Sequence, residues 1–390
     1  MNYKFPLATS SWDADEYQAI DEVVKSGMFT MGSRVRKFEE GFADYVGSKF
    51  GVMVNSGSSA NLLMIAALFC SKNPEIKLNR GDEVIVPAVS WSTTYTPLQQ
   101  YGMKVKFVDI DPDTLNFDLD AMAEAVTEKT RLIFAVNLLG NPNDFAAISS
   151  IIGDRNILLI EDNCESLGAK IGSKHAGTFG LMGSYSTFFS HHISTMEGGV
   201  IVTESEELFH ILLSLRAHGW TRNLPDENLV TGKKNDDQFY ESFKFVLPGY
   251  NVRPLELSGS IGLKQLEKLP ELIAGRRRNA NMFTAVMENH PQLAIQQETG
   301  QSSWFGFSLV LRKGTTLSRS AVISKLNSLG FECRPIVAGN FTRNDVMSFF
   351  DAEIFGNLEN ADHINENGFF IGNHHHNMEE AMDTLSKLKL

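Results

Sequence analysis

Ser184-Tyr-Ser-Thr-Phe-Phe-Ser-His-His-Ile-Ser-Thr-Met-Glu-Gly-Gly199 reads as an apolar strand over Ser184–Phe189, a polar loop with a doubled histidine, and a glycine pair that opens a second strand over Val200–Thr203. His191 lies five residues after Ser186 and eight before Gly199. An imidazole, with an ordinary pKa of ~6.5, can both take and give a proton near neutrality. On residue type alone, either histidine could equally be a core residue hydrogen-bonded to backbone.

Similar strand-like runs occur on both sides of this stretch, at Val52–Asn55, Glu83–Pro87, Lys104–Asp109, Leu132–Asn137 and Ile157–Asp162. Amphipathic segments such as Ala60–Cys70, Leu119–Val126 and Ala146–Ile152 lie between them. Strands that are apolar throughout, rather than alternating, predict a mostly parallel sheet covered by helices on both faces. From about Leu255 the pattern changes to long helices, a strand pair near Trp304–Leu311 and Phe331–Ile336, and more helix. The chain is therefore expected to divide into residues 1–254, an N-terminal segment with a large α/β domain, and residues 255–390, a smaller α+β domain. The polar stretch Asp226–Asp237 is expected to be a mobile surface loop.

Composition narrows the function. With 43% hydrophobic and 21% charged residues the chain is an ordinary globular protein. A net charge of −12, from 35 basic and 47 acidic residues, argues against nucleic acid or an anionic membrane as the main partner. Cys70, Cys164 and Cys333 are scattered, so no disulfide framework, structural zinc site or four-cysteine iron–sulfur site is expected. No apolar run reaches the roughly 18 residues of a membrane span and the start does not read as a signal peptide, so a cytoplasmic protein is expected. His374-His375-His376 invites a metal reading, but consecutive histidines on a regular element cannot face one ion, so no metal is expected there.

Four further segments carry chemistry. Asn55-Ser-Gly-Ser-Ser-Ala-Asn61 follows a strand and opens a helix. Gly57 permits the turn, and the amides near Ser58 would face an anion, although a plain helix cap reads the same way. Asp162, in Ile160-Glu-Asp-Asn-Cys-Glu-Ser-Leu-Gly168, ends a strand, where an open α/β sheet binds its ligands. Trp91, in Pro87-Ala-Val-Ser-Trp-Ser-Thr-Thr94, offers an aromatic face or an ordinary core indole. Leu247-Pro-Gly-Tyr-Asn-Val-Arg-Pro254 precedes a helix and could be only a capping turn.

Taken together, in this order and at this spacing, the segments resemble the DegT/DnrJ/EryC1/StrS nucleotide-sugar aminotransferases. The resemblance runs from about Leu7 to the C-terminus and includes Phe29-Thr-Met-Gly32, Phe38-Glu-Glu-Gly-Phe42 and Val108-Asp-Ile-Asp-Pro-Asp-Thr-Leu-Asn116. It implies the type I, aspartate aminotransferase-like fold of enzymes that use pyridoxal 5′-phosphate (PLP), and a homodimer with shared active sites. By that resemblance Gly57, Ser58 and Ser186 bind the cofactor phosphate, with Asn251 supplied by the neighbouring subunit. Trp91 stacks on the cofactor ring, Asp162 faces the pyridine nitrogen, and Glu165 belongs to the same cofactor pocket.

Two positions depart from the family pattern. His191 stands where the family has the lysine that tethers the cofactor, and Glu165 stands where it usually has glutamine. Both departures, with Arg216-Ala-His-Gly-Trp-Thr-Arg222, resemble a subgroup, the GDP-4-keto-6-deoxy-D-mannose 3-dehydratases of colitose (O-antigen) biosynthesis. This resemblance implies that untethered PLP is converted by L-glutamate to pyridoxamine 5′-phosphate (PMP). The C3 hydroxyl of a GDP-linked 4-ketosugar is then removed with release of ammonia, and His191 is the acid and base. Candidate substrate contacts are Arg334, in Arg-Pro-Ile-Val-Ala-Gly339, and His218 and Arg222. Rival readings are a sugar 4-aminotransferase such as a GDP-perosamine synthase, using another lysine such as Lys170 or Lys174, and a non-catalytic sugar-binding homologue. A CDP-ketosugar dehydratase with an iron–sulfur cluster is a further rival, opposed by the scattered cysteines.

Overall fold

Val84-Ile-Val86 and Leu132-Ile-Phe-Ala135 are buried on both faces in the computed structural model, which describes residues 3–390. They lie inside an eight-stranded sheet whose order is Phe50–Val54, Gly199–Thr203, Met182–Ser186, Leu158–Asp162, Thr130–Val136, Glu83–Pro87, Lys104–Val108 and Ala352–Ile354. Neighbouring strands are parallel except at Gly199–Thr203, which runs antiparallel to both of its partners. Val84, Val86, Leu132 and Phe134 pack on one face with the apolar helix Gly57–Cys70. Ile85, Ile133 and Ala135 pack on the other with Met122, Phe145 and Ile148. Burial on both faces is why these runs do not alternate.

The long helix Glu256–Met287 joins the two parts of the molecule. Its first half packs against Ala14–Ser26 and Ser33–Val46, and its far end reaches Glu379–Ser386. A second, four-stranded antiparallel sheet has the order Leu293–Ala294, Gly306–Leu311, Gly368–Gly372, Cys333–Arg334. Phe283, Phe307, Phe331, Phe369 and Leu385 form its core. The two strands expected near residues 304–311 and 331–336 are therefore not a pair, because Gly368–Gly372 lies between them. Local pattern reports a strand but not its neighbour. Asp226–Asp237 is likewise more than a loop, since Glu227–Asn228 and Gly232–Lys233 pair as a short hairpin.

A division after residue 254 remains a proposal, and two segments cross it. Ala352–Ile354 adds to the edge of the large sheet beside Lys104–Val108, and Phe5 bridges to Phe331 in the smaller part.

A buried acid joins the carboxyl end of Leu158–Asp162 to the segment that leads into Met182–Ser186. Glu161 accepts hydrogen bonds from the amides of Gly177 (2.6 Å), Phe179 (2.5 Å) and Gly180 (2.7 Å) and from Asn137 Nδ2 (3.1 Å). This ties the segment leading into Met182–Ser186 to the strand that ends in Asp162. Glu161→Ala strands three amides, one buried and two half-buried, so we expect a stability loss on the order of 3 kcal/mol in urea unfolding. A change below about 0.5 kcal/mol would mean that the amides find other partners.

Candidate active site

Asp162 sits at the end of its strand, buried, with three donors and, among the described residues, no cation. Asn61 Nδ2 and Thr94 Oγ1 both reach Oδ2 at 2.7 Å, and the amide of Cys164 reaches Oδ1 at 3.1 Å. Asn61 is in turn held by the Ser184 hydroxyl at 2.6 Å. Four separate segments of the chain thus aim one carboxylate into a cavity of about 630 Å³.

The cavity brings together most of the residues singled out in the sequence: Gly57, Ser58, Trp91, Asp162, Glu165, Ser186, His191 and Arg334. Gly57 starts the helix Gly57–Cys70. Ser56 caps that helix by accepting from the amide of Ser59 at 3.0 Å, so the amides of Gly57 and Ser58 are left as free first-turn donors. A Cβ at Gly57 would lie 2.8 Å from both Cys164 Sγ and Ser186 Cβ. A Cβ at Gly199 would lie 2.4 Å from the Ser56 carbonyl oxygen. Only glycine allows the helix start and the two strand ends to approach so closely. Trp91 precedes the helix Ser92–Gln100 and keeps its indole exposed on the cavity wall.

His191 lies on a loop pinned at its neck. The Thr187 amide donates to the Gly198 carbonyl, the Thr195 amide donates to the Thr187 carbonyl, and the two threonine hydroxyls meet at 2.6 Å. The strand expected to run to Phe189 stops at Ser186, where the chain turns and the Phe188 amide donates to the Ser186 hydroxyl at 3.3 Å. Ser190 Oγ is 3.5 Å from His191 Nδ1, and Nε2 has no partner among the described residues. The ring of Phe305 meets the imidazole edge to face at 4.9 Å. Burial, then the charge of Arg276, pushes His191 down to about 3, so its resting form is neutral. His192 points away, its Nε2 3.1 Å from the Ser303 carbonyl. The His374–His376 turn is held by the long helix, with Asn279 Nδ2 donating to the carbonyls of His374 and His376.

Glu165 accepts the amide of Leu139 at 3.0 Å. Burial pushes its carboxyl up to about 7 against that hydrogen bond, and the negative charge of Asp162 adds to the rise. Arg334, at the end of a strand of the smaller sheet, pairs with Glu332 at 2.7 Å and lines the cavity.

Three expected site residues lie outside this cavity. Asn251 is exposed and accepts from Arg253 Nε at 3.0 Å. His218 packs on the Trp220 ring at 4.6 Å, and the guanidinium of Arg222 covers that ring at the same distance. His218 and Arg222 therefore do not line the cavity of their own protomer. They belong to an exposed aromatic surface with Phe243 and Phe245. The residues missed in the sequence are Asn61, Thr94, Phe305 and Arg276. Asn61 and Thr94 stood inside quoted motifs, but Phe305 and Arg276 carry no local signal.

The pocket fits PLP on its own chemistry. A buried carboxylate held only by neutral donors suits a protonated ring nitrogen, free first-turn amides suit a phosphate, and an exposed indole suits a ring face.

The fold and this pocket are of the PLP-dependent aminotransferase type, and the chain belongs to the DegT/DnrJ/EryC1/StrS aminotransferase family, whose model matches residues 10–387. It is 60% identical to a GDP-4-keto-6-deoxy-D-mannose 3-dehydratase of Escherichia coli O55:H7, over 98% of this chain and 99% of that protein. A crystal structure of GDP-4-keto-6-deoxymannose-3-dehydratase with a trapped PLP–glutamate geminal diamine superposes with a TM-score of 0.97. It is 59% identical, covering 98% of this chain and 99% of that one. A histidine-to-asparagine variant of the same enzyme, with bound GDP-perosamine, matches with the same identity, coverage and score.

The raised Glu165 carboxyl has a defined sign in stability. A glutamate whose folded pKa exceeds its unfolded value stabilises below the unfolded value, and that contribution is lost as pH rises to about 7. Cofactor-free wild type should therefore lose stability relative to Glu165→Gln between about pH 4.5 and pH 7. Parallel thermal-unfolding curves across that window would place the proton elsewhere.

Proposed function

We infer that this chain is a PLP-dependent GDP-4-keto-6-deoxy-D-mannose 3-dehydratase. The observation that carries the reading is a histidine on the wall of this pocket, its Nε2 without a partner among the described residues, at the position where the family has lysine. The overall change balances: the 4-ketosugar and L-glutamate become the 3-deoxy-4-ketosugar, oxoglutarate and ammonia. Glutamate supplies the two electrons, and the C3 oxygen ends in oxoglutarate by way of water.

When bound, PLP supplies an electron sink and an aldehyde that exchanges nitrogen with glutamate. Asp162 would hold the ring nitrogen in its protonated form. The amides of Gly57 and Ser58 and the hydroxyl of Ser186 would take the phosphate. Trp91 would cover one face, and Glu165 would sit beside the ring, sharing the buried wall with Asp162. His191 enters as a neutral base, so it can accept the proton released from glutamate's α-carbon and return it to the cofactor's C4′ carbon. In the sugar half of the cycle it takes the C4′ proton and is then placed to protonate the departing C3 hydroxyl. The neutral resting form takes the proton, and the imidazolium so formed is a strong acid toward the departing hydroxyl. A histidine cannot re-form the covalent tether that lysine makes, so nitrogen leaves as ammonia rather than staying on the sugar. Arg334 is proposed to meet the nucleotide sugar.

The homodimer is part of this proposal. Asn251 is exposed outside its own cavity, as expected if it serves the phosphate of a neighbouring subunit. His218 and Arg222, also outside their own cavity, are proposed to reach substrate across the same boundary.

With PLP, glutamate and GDP-4-keto-6-deoxymannose, the purified protein should release ammonia and a 3-deoxysugar. His191→Asn should lower turnover on the order of 10²- to 10⁴-fold with a much smaller effect on KM. Nitrogen retained on the sugar would identify an aminotransferase instead. Mixing His191→Asn with Asn251→Ala chains should restore part of the activity, because one of the two sites in the mixed dimer is then intact. Subunit exchange without recovery would rule out a shared site.

A further inference from the structure

Arg276 is buried in the long helix behind the catalytic loop, and no acidic side chain answers its charge. Burial alone moves its guanidinium, down to about 10, with no opposing acid. Its donors end on backbone carbonyls. Nη1 reaches Phe305 O at 3.0 Å and Asn373 O at 2.6 Å, and Nη2 lies 3.5 Å from His191 O. Asn373 Nδ2 returns a bond to the Arg276 carbonyl at 3.2 Å and another to the Trp304 carbonyl at 2.8 Å. The side chain thus joins the histidine loop to the segments that flank two strands of the smaller sheet.

Stability alone does not call for a cation here. Carbonyls can be satisfied by a neutral donor, whereas burying an unpaired charge carries a desolvation cost. What the charge adds is a fixed positive field behind the imidazole.

We propose that Arg276 is a positioning residue for His191: it holds the loop carbonyl and the Phe305 wall in place, while its unanswered charge adds to burial in favouring the proton-accepting imidazole and makes the imidazolium a stronger donor to the departing hydroxyl. This deepens the reading of His191 given above and rests on it. The other ionisable groups around the imidazole are Arg277 on the same helix, His192 and Glu197 on its own loop, Asp162 and Glu165 across the cavity, and Arg334 from the smaller domain. Phe188 and Phe305, which touch the ring, are apolar. Among these groups, the charge that bears directly on His191 is that of Arg276.

The test compares wild type with Arg276→Lys, which keeps the charge, and Arg276→Gln, which keeps donors but loses it. The rate at which glutamate converts PLP to PMP is followed against pH, and His191 is titrated by NMR of ¹⁵N-histidine-labelled protein, its signal assigned with His191→Asn. Arg276→Gln should move the acid limb and the His191 titration upward by about one pH unit or more, whereas Arg276→Lys should leave both near wild type even if its rate falls. Unchanged titration in Arg276→Gln would overturn the proposal, as would an ordinary His191 pKa near 6.5 in wild type. The second result decides the matter even if Arg276→Gln does not fold. A wild-type protein with no half-reaction but a strongly depressed His191 would sink the functional reading and leave this one standing.

Discussion

A carboxylate held in the protein interior by neutral donors is the constraint around which this structure is arranged. Asp162 keeps its place because Asn61, Thr94 and the Cys164 amide supply hydrogen bonds without supplying charge. A lysine or arginine in their place would neutralise the acid and remove its use as partner for a positively charged ring. The elements that provide these donors are the elements that shape the cavity. Asn61 comes from the helix that offers its first-turn amides, Thr94 from the helix that Trp91 opens, and Ser184, which holds Asn61, from the strand that leads into the histidine loop.

The second constraint lies between the two sheets. His191 is carried by a loop of the large sheet, but Phe305, just before a strand of the smaller sheet, and Arg276, on the long helix, close its back. Backbone strain marks this contact. Leu139 and Trp304 both have positive φ, at 53° and 49°, and the Phe305 amide donates to the Leu139 carbonyl at 3.0 Å. The Leu139 amide also holds Glu165. Non-glycine residues adopt this conformation only where surrounding structure enforces it. The acid beside the cofactor pocket and the wall behind the base are thus joined through one strained turn.

Two acids and a base on the cavity wall then divide the proton chemistry by surroundings rather than by residue type. Asp162 is surrounded by donors, whereas Glu165 has one amide and a negative neighbour and is pushed up to about 7. His191, desolvated and backed by a cation, rests neutral. Placing a proton on Glu165 and leaving His191 free keeps the pocket near charge balance once a cationic ring is present.

The residues alone specified the large sheet with little ambiguity. Its strands are apolar because they are buried on both sides, and Glu83–Pro87 was legible to the residue. Most of the cavity was also legible, because Gly57, Ser58, Trp91, Asp162 and Ser186 sit at strand ends or helix starts, where an α/β sheet gathers its ligands. Local pattern could not show how distant segments meet. The neighbour of each strand in the small sheet, the attachment of Ala352–Ile354 to the large one, and the placement of His218 and Arg222 outside their own cavity depend on contacts between residues far apart in the chain. The choice of His191 over His192 rested on spacing, and the structure sets the two rings in different surroundings, one toward the cavity and the other on the Ser303 carbonyl. Arg276 and Phe305 are unremarkable in sequence because burial and field are properties of assembled neighbours. A residue's type limits what it can do, but the pKa and direction of its side chain are set by what the fold packs around it.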